Sequence, residues 1–204
     1  MAKKVSTLEV FDHEQGSDAW KRVRMGIPTA SEFSSVLAKG QGKTRRSYMV
    51  KLAGEIISEE PVEDYSNKYM ERGKRLEPEA LNYYALLYDA ALTRVGFIKN
   101  GRAGCSPDSL IGSNGALEIK TQSQPLLIER LLNGEPPPEH IAQLQGTLWV
   151  AEREWIDLLI YWPKMPHYKR RFVRDEPYIK ALAMAVKQFN EELDELVAKI
   201  RAMQ

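Results

Sequence analysis

The chain has 204 residues, 43% of them hydrophobic and 28% charged, with a net charge of +1. That balance excludes a disordered or fibrous chain and fits a globular domain that buries about 70% of its unfolded surface. A single cysteine, Cys105, excludes an internal disulfide framework and a four-cysteine metal or iron–sulfur site within the chain, and no stretch approaches the ~18 apolar residues of a membrane span.

The opening Met1-Ala2-Lys3-Lys4 leads into no apolar run, so no signal peptide is expected. Ser17 caps a predicted short helix over 17–25. Thr29-Ala30-Ser31-Glu32 has the capping-box pattern and predicts a helix over 29–38. Residues 39–44, with Gly40 and Gly42, read as a flexible loop. Residues 45–58 read as a helix, with Tyr48, Leu52 and Ile56 on one face. Pro78 is expected in the first turn of a helix reaching 89, whose buried stripe is Leu81, Tyr84, Ala85 and Tyr88.

The texture then changes. Residues 92–99 predict a strand. Residues 108–111 and 116–121 predict two short strands joined by the turn sequence Gly112-Ser113-Asn114-Gly115. Helices are expected over 124–132 and, after Pro136-Pro137-Pro138, over 139–151. The apolar run 154–162 reads as a central strand, 168–174 as another, and 176 onward as a long amphipathic helix. This order predicts a mixed central sheet flanked by helices, an α/β chain of α+β type. The net charge does not suggest a generic nucleic-acid binder. Basic residues nevertheless cluster at Lys21–Arg24, at Lys43, Arg45 and Arg46, at Lys68, Arg72, Lys74 and Arg75, and at Lys169–Arg171 with Arg174.

The sharpest chemical signal is Ser106-Pro107-Asp108, nine intervening residues, then Glu118-Ile119-Lys120. Alternate residues of a strand share a face, so Glu118 and Lys120 project together and Ile119 faces the opposite way. The turn at 112–115 brings Asp108 of the paired strand close to Glu118. Two carboxylates on adjacent strands suit a hard divalent cation such as Mg²⁺, with Mn²⁺ as a substitute and the Ile119 carbonyl as a further oxygen ligand. A cation there would hold a phosphate and activate a bound water, with Lys120 positioning that water or neutralising developing charge. The rival reading is a surface hairpin with solvated charges. Against it, charges on the inward face of the apolar strand 116–120 would be costly without a purpose.

With these residues in view the chain resembles the PD-(D/E)xK nuclease superfamily, and within it the phage lambda exonuclease branch, the YqaJ-type viral recombinases. Arg24-Met-Gly-Ile-Pro-Thr-Ala-Ser31 matches that branch's amino-terminal motif. Gly73-Lys-Arg-Leu-Glu77-Pro-Glu-Ala80 resembles its Gly-x-x-x-Glu-x-x-Ala helix start, Ser106-Pro107-Asp108 its Ser-Pro-Asp motif, and His140-Ile-Ala-Gln143-Leu-Gln145 its glutamine-bearing helix. The motifs run in family order across about residues 15–175.

The resemblance implies a restriction-endonuclease-like core and one nuclease domain over 1–204. Within it lie a mostly helical part at 1–74, a catalytic sheet core at 75–174 and a carboxy-terminal helix at 175–204. It implies that Asp108, Glu118 and the Ile119 carbonyl bind metal, that Glu77 supports the site directly or through water, that Lys120 serves the attacking water, and that Gln143 sits near the metal water or the DNA. Arg24, Ser31 and Ser106 would form a pocket for a 5′-terminal phosphate, aided by helix amides opening at Ala30. The implied activity is Mg²⁺-dependent 5′→3′ exonuclease digestion of duplex DNA ends, leaving 3′ single-stranded tails for phage-type recombination. It also implies a ring-shaped homotrimer, an annealing-protein partner, and a phage- or bacterium-encoded protein of the cytoplasm that binds no membrane. The alternatives are a PD-(D/E)xK endonuclease of restriction or structure-specific type and a DNA-end-binding module that does not cut. Cys105 is expected as a buried filler and Trp20 as a core anchor, with stacking on DNA as the alternative. His13, His140 and His167 are too dispersed for a metal cluster.

Overall fold

A computed structural model describes residues 7–38, 43–62 and 68–203. Its main sheet has five strands in the order β2 (Leu92–Thr93), β5 (Ser109–Ile111), β6 (Gly115–Thr121), β7 (Trp155–Tyr161) and β8 (Tyr168–Val173). Only β6 and β7 run parallel. Parallel neighbours need a long crossover, and α5 (Gln124–Asn133) and α6 (Ile141–Val150) provide it. The sheet is therefore mixed, as the element order predicts. Every residue of β7 after Trp155 is buried, which explains its nearly unbroken apolar run.

The two faces of this sheet bury different helices. Ala116, Ile156, Leu158 and Ile160 join Leu144 and Leu148 of α6 in the larger core. Leu182, Val186, Phe189, Leu193 and Val197 of α7 (Glu176–Arg201) complete it at helical spacing. On the other face, Leu117, Ile119, Leu159 and Tyr161 pack with Ala80, Leu81 and Tyr84 of α4 (Lys68–Tyr88). Each fully buried aliphatic or aromatic side chain of this kind stabilises the fold by about 1.5–3 kcal/mol. The remaining helices are α1 (Asp18–Arg24), α2 (Phe33–Leu37) and α3 (Lys43–Ser58).

A second, antiparallel sheet of three strands was not expected: β1 (Leu8–Phe11), β3 (Phe97–Asn100) and β4 (Ala103–Cys105). Consequently the strand predicted over 92–99 is two strands in two sheets. The break falls at Gly96, whose N–H donates to the Phe11 carbonyl at 3.0 Å. A Cβ at Gly96 would lie 1.9 Å from the His13 carbonyl oxygen, so only glycine allows the chain to cross there.

Two helix starts also differ from expectation. α4 begins at Lys68 and carries Pro78 in its interior rather than in its first turn. Proline withholds one backbone N–H, and the helix continues because Leu76 on one side of it and Ala80, Leu81 and Tyr84 on the other are all buried. The capping-box helix over 29–38 is a 3₁₀ turn, Ala30–Glu32, followed by α2. Thr29 caps nothing there, so this segment offers no long helix whose amides could aim at an anion. The amino-terminal tetrapeptide and residues 39–42 of the predicted loop lie outside the described residues, and Lys43 and Thr44 belong to α3. Among the described residues no helix is long and apolar enough to cross a membrane.

Candidate active site

The hairpin β5–β6 pairs Ser109 with Leu117 and Ile111 with Gly115, which sets Asp108 across from Glu118. Gly112, at φ +54°, supplies the left-handed turn residue. The Asp108 Oδ2 accepts a hydrogen bond from the Ile119 N–H at 2.5 Å. Glu118 is 3% exposed. Its Oε1 accepts from the Gln143 Nε2 at 2.6 Å and meets the Lys120 Nζ at 2.7 Å. Its Oε2 is buried with no hydrogen-bond partner. The strand alternation read from the sequence thus places Glu118 and Lys120 together, with Ile119 in the opposite core.

Burial pushes the Asp108 carboxyl well above the usual carboxylate range, and the nearby Glu118 and Glu77 push it further. Lys120 and the Ile119 amide oppose them without prevailing. Lys120 shows the opposite balance: burial works against its charge, but Glu118 and Asp108 hold its pKa above the ordinary lysine value. The group is therefore short of positive charge. His140 adds none, because burial and the charge of Lys120 lower its pKa. Its imidazole lies near enough to Lys120 to belong to the site's surroundings, a placement the sequence left open.

Glu77 reaches the same electrostatic neighbourhood from α4, yet its Oε1 is bonded to the Arg94 Nη2 at 3.0 Å. Among the described residues no three His, Cys, Asp or Glu side chains are gathered closely enough to hold a metal. Asp108 and Glu118 remain as a carboxylate pair with one unpartnered oxygen. Hard oxygen donors and a buried orphan acceptor are a donor set that suits a divalent cation.

The predicted phosphate-pocket residues come together, though not alone. The Ser17 Oγ accepts from the Trp20 N–H at 3.2 Å and caps α1. Trp20 then donates through Nε1 to the Gly96 carbonyl at 2.9 Å and to the Ser106 Oγ at 3.1 Å. The guanidinium of Arg24 lies 4.0 Å from the centre of the Trp20 ring, and its Nη2 donates to the Thr29 Oγ1 at 3.4 Å. Thr29 in turn meets the Ser31 Oγ at 3.3 Å. Arg24, Ser31 and Ser106 are thus joined through Trp20 and Thr29. The Ser106 hydroxyl donates to the Gly96 carbonyl at 2.7 Å.

Trp20, half-buried and outside both core clusters, is a cation-bearing platform rather than a core anchor, and its position four residues before Arg24 on one helix is the signal that could have shown it. Thr29, expected only to cap a helix, instead links two residues of the pocket. It is 5% exposed, and its N–H donates to the Tyr48 hydroxyl at 3.0 Å. Arg94 carried no signal, because its partner Glu77 lies on another element. Cys105 is 1% exposed and its thiol is pushed up by burial, the behaviour of a buried filler. Gln145, which neighbours Gln143 in the motif, bridges the Val173 carbonyl and the Asp175 N–H instead of facing the site.

A mixed sheet that presents paired carboxylates and a lysine at a hairpin, with helices on both faces, is the architecture of PD-(D/E)xK-type exonucleases. Residues 19–154 match the YqaJ-like viral recombinase domain, and the chain belongs to that family. It is similar to the solved structure of LHK-Exo in complex with dAMP, at 30% identity and a TM-score of 0.85 over 92% of this chain and 97% of that one. The structure described as the alkaline exonuclease LHK-Exo from Laribacter hongkongensis gives 29% identity, a TM-score of 0.84 and the same coverage. A phage-related exonuclease from Haemophilus somnus 129PT shares the fold at 15% identity and a TM-score of 0.69, over 88% of this chain and 99% of that one. Among curated protein sequences none matches significantly.

Proposed function

We propose that the chain is a divalent-metal-dependent nuclease that digests duplex DNA from its ends in the 5′→3′ direction, leaving 3′ single-stranded tails for recombination by strand annealing. The observation that carries this reading is the buried, unpartnered Glu118 Oε2 beside Asp108 and Lys120. Membership of the recombinase family and likeness to an alkaline exonuclease support it.

Asp108, Glu118 and the Ile119 carbonyl would hold Mg²⁺, or Mn²⁺ in its place, with Glu77 close by. The bound ion would supply Lewis acidity at a phosphate and a water of lowered pKa. The protein's own residues do the rest. Gln143 fixes the Glu118 carboxylate through Oε1, which leaves Oε2 free. Lys120, held charged, positions the attacking water and offsets charge growing on the phosphate. Arg24 offers a planar donor fork to a terminal 5′ phosphate, with the Ser31 and Ser106 hydroxyls beside it. The lambda-exonuclease-like motifs further support a homotrimeric ring and an annealing protein as partner. Light scattering of the purified protein would test the ring.

The deciding experiment is digestion of three DNAs with Mg²⁺ or with chelator: linear 5′-phosphorylated duplex, linear 5′-hydroxyl duplex and closed circle. Metal-dependent loss of the linear phosphorylated DNA with the circle intact is expected. A cut circle points to an endonuclease, and no cutting with any metal points to an end-binding protein. Arg24→Ala is expected to lower the preference for phosphorylated over hydroxyl ends by about ten-fold or more, the worth of one hydrogen bond to a charged group. An unchanged ratio would remove Arg24 from the pocket.

A further inference from the structure

A second basic and aromatic cluster stands at the end of β6, and none of the roles above uses it. Arg72, on the first turns of α4, places its guanidinium 4.9 Å from the Trp162 ring and 5.4 Å from the Tyr69 ring. Its Nη2 donates to the Thr121 carbonyl at 3.3 Å, and Thr121 is the residue after Lys120. The Arg72 Nε is buried without a partner, and so is the Oε1 of Gln122, the next residue along. The Lys68 Nζ lies 5.2 Å from the Tyr69 ring, and Tyr69 itself is 58% exposed.

A purely structural account has Arg72 pinning α4 to the end of β6. That account uses Nη2 and leaves Nε idle, and an idle buried donor is costly. Two aromatic rings flank the guanidinium, and its Nη2 bond to the Thr121 carbonyl ties it to β6 one residue past Lys120. A planar cation fixed in this way fits the paired oxygens of a phosphodiester. An exposed tyrosine next to it offers a stacking face to the base that such a phosphate carries. The exposed Lys74 and Arg75 on the following turn extend the positive surface.

We propose that Arg72, Tyr69 and Trp162 form a strand-holding site. Arg72 grips the backbone phosphate next to the scissile one on the cut strand, Trp162 holds Arg72, and Tyr69 stacks the adjoining base. The proposal rests on the nuclease reading of the Asp108–Glu118–Lys120 site and adds to it where the rest of the strand goes.

The test measures binding of a fluorescent 5′-phosphorylated duplex in Ca²⁺, together with kcat and KM in Mg²⁺, for wild type, Arg72→Ala, Arg72→Lys and Tyr69→Ala. A matched duplex carries one neutral methylphosphonate linkage next to the scissile phosphate. Arg72→Ala is expected to weaken binding and raise KM about ten-fold with kcat little changed. Its log-affinity against log-salt slope is expected to fall by about 0.9, the signature of one lost phosphate contact. The methylphosphonate is expected to cost wild type the same factor and to cost Arg72→Ala nothing further. Losses that multiply, or an Arg72→Ala slope equal to wild type, overturn the proposal. Should Arg72→Ala melt early, Tyr69→Ala decides, because its ring is exposed. A loss of about five-fold or more is expected there, and unchanged binding counts as refutation. Wild type that cuts DNA while these variants bind normally refutes only the strand-holding site, whereas wild type that binds no DNA end refutes the nuclease reading as well.

Discussion

Glu118 and Asp157 are buried carboxylates on adjacent strands, 3% and 0% exposed. Register pairs Asp157 with Leu117 and Glu118 with Leu158, so the two acids point to opposite faces of one sheet. Their surroundings differ in one decisive way. The Asp157 Oδ1 accepts from the Arg171 Nε at 2.8 Å. Its Oδ2 takes the Arg171 Nη2 at 2.9 Å, the Tyr84 hydroxyl at 2.6 Å and the Lys169 Nζ at 3.0 Å. Burial alone would raise its pKa, but these hydrogen bonds outweigh that and bring it below the usual value. Glu118 concentrates its partners on one oxygen and leaves the other bare. A buried acid with both oxygens engaged is part of the framework. One with a whole oxygen left without a partner, next to a second acid whose pKa is driven up, is arranged for something that arrives later.

Four substitutions break or sharpen this contrast. Lys120→Ala is expected to lower kcat by about a hundred- to ten-thousand-fold while DNA binding is largely kept. Binding loss without a cleavage defect would remove the lysine from catalysis. Asp157→Ala is expected to leave cleavage per folded molecule intact and to cost about 3 kcal/mol of stability in urea titration. That is the low end for a broken buried pair, because Arg171 is 47% exposed and screened by water. The sign with pH follows from the depressed pKa. The Asp157 contribution is complete above the ordinary aspartate value of about 4. It is lost as pH falls through the lower folded value, so the gap between wild type and variant is constant near neutrality and closes only in acid.

Asp108 has the opposite sign. Its raised pKa means that the folded, metal-free protein resists an ionisation that the unfolded chain accepts. Asp108→Asn is therefore expected to melt above wild type near pH 8 without metal, with the gap closing as pH falls toward about 4. Added Mg²⁺ reverses the order by stabilising wild type alone, by about 2.7 kcal/mol at a hundred times its Kd. Equal melting of the two proteins under both conditions would contradict the site. The smallest effect is expected for Arg94→Ala. Arg94 is 66% exposed, so freeing Glu77 from it should tighten half-saturation by metal at most about five-fold. Weaker metal binding would show that Arg94 orients Glu77 rather than competing for it.

The hairpin of the site was legible because two local rules suffice for it, a turn at 112–115 and the alternation of residues 118 and 120. The amphipathic α7 was legible for the same reason, through its own period. What the sequence concealed depends on distant partners. β1 and β4 have four and three residues, too few for a pattern, and they exist because β3 lies between them. The break at Gly96 is set by a contact with His13 that no local rule contains. Thr29 fits a capping box in sequence, but its N–H donates to the Tyr48 hydroxyl on another helix and its hydroxyl serves Arg24 and Ser31, so the side chain caps nothing. The Asp157 cluster joins α4, β7 and β8, and nothing near Asp157 in sequence distinguished it from a second catalytic acid.

The ends of the main sheet have a consequence of a different kind. An unpaired strand edge invites pairing with another chain, and two such edges are present. One is closed by brevity, since β2 has only two residues. The other, β8, carries Lys169, Arg170 and Arg171 in succession, so any strand approaching it meets three cations. The residues that neutralise Asp157 on the inside thereby discourage strand pairing at the β8 edge, and a variant that strips charge from β8 should betray itself first as turbidity in a concentrated solution.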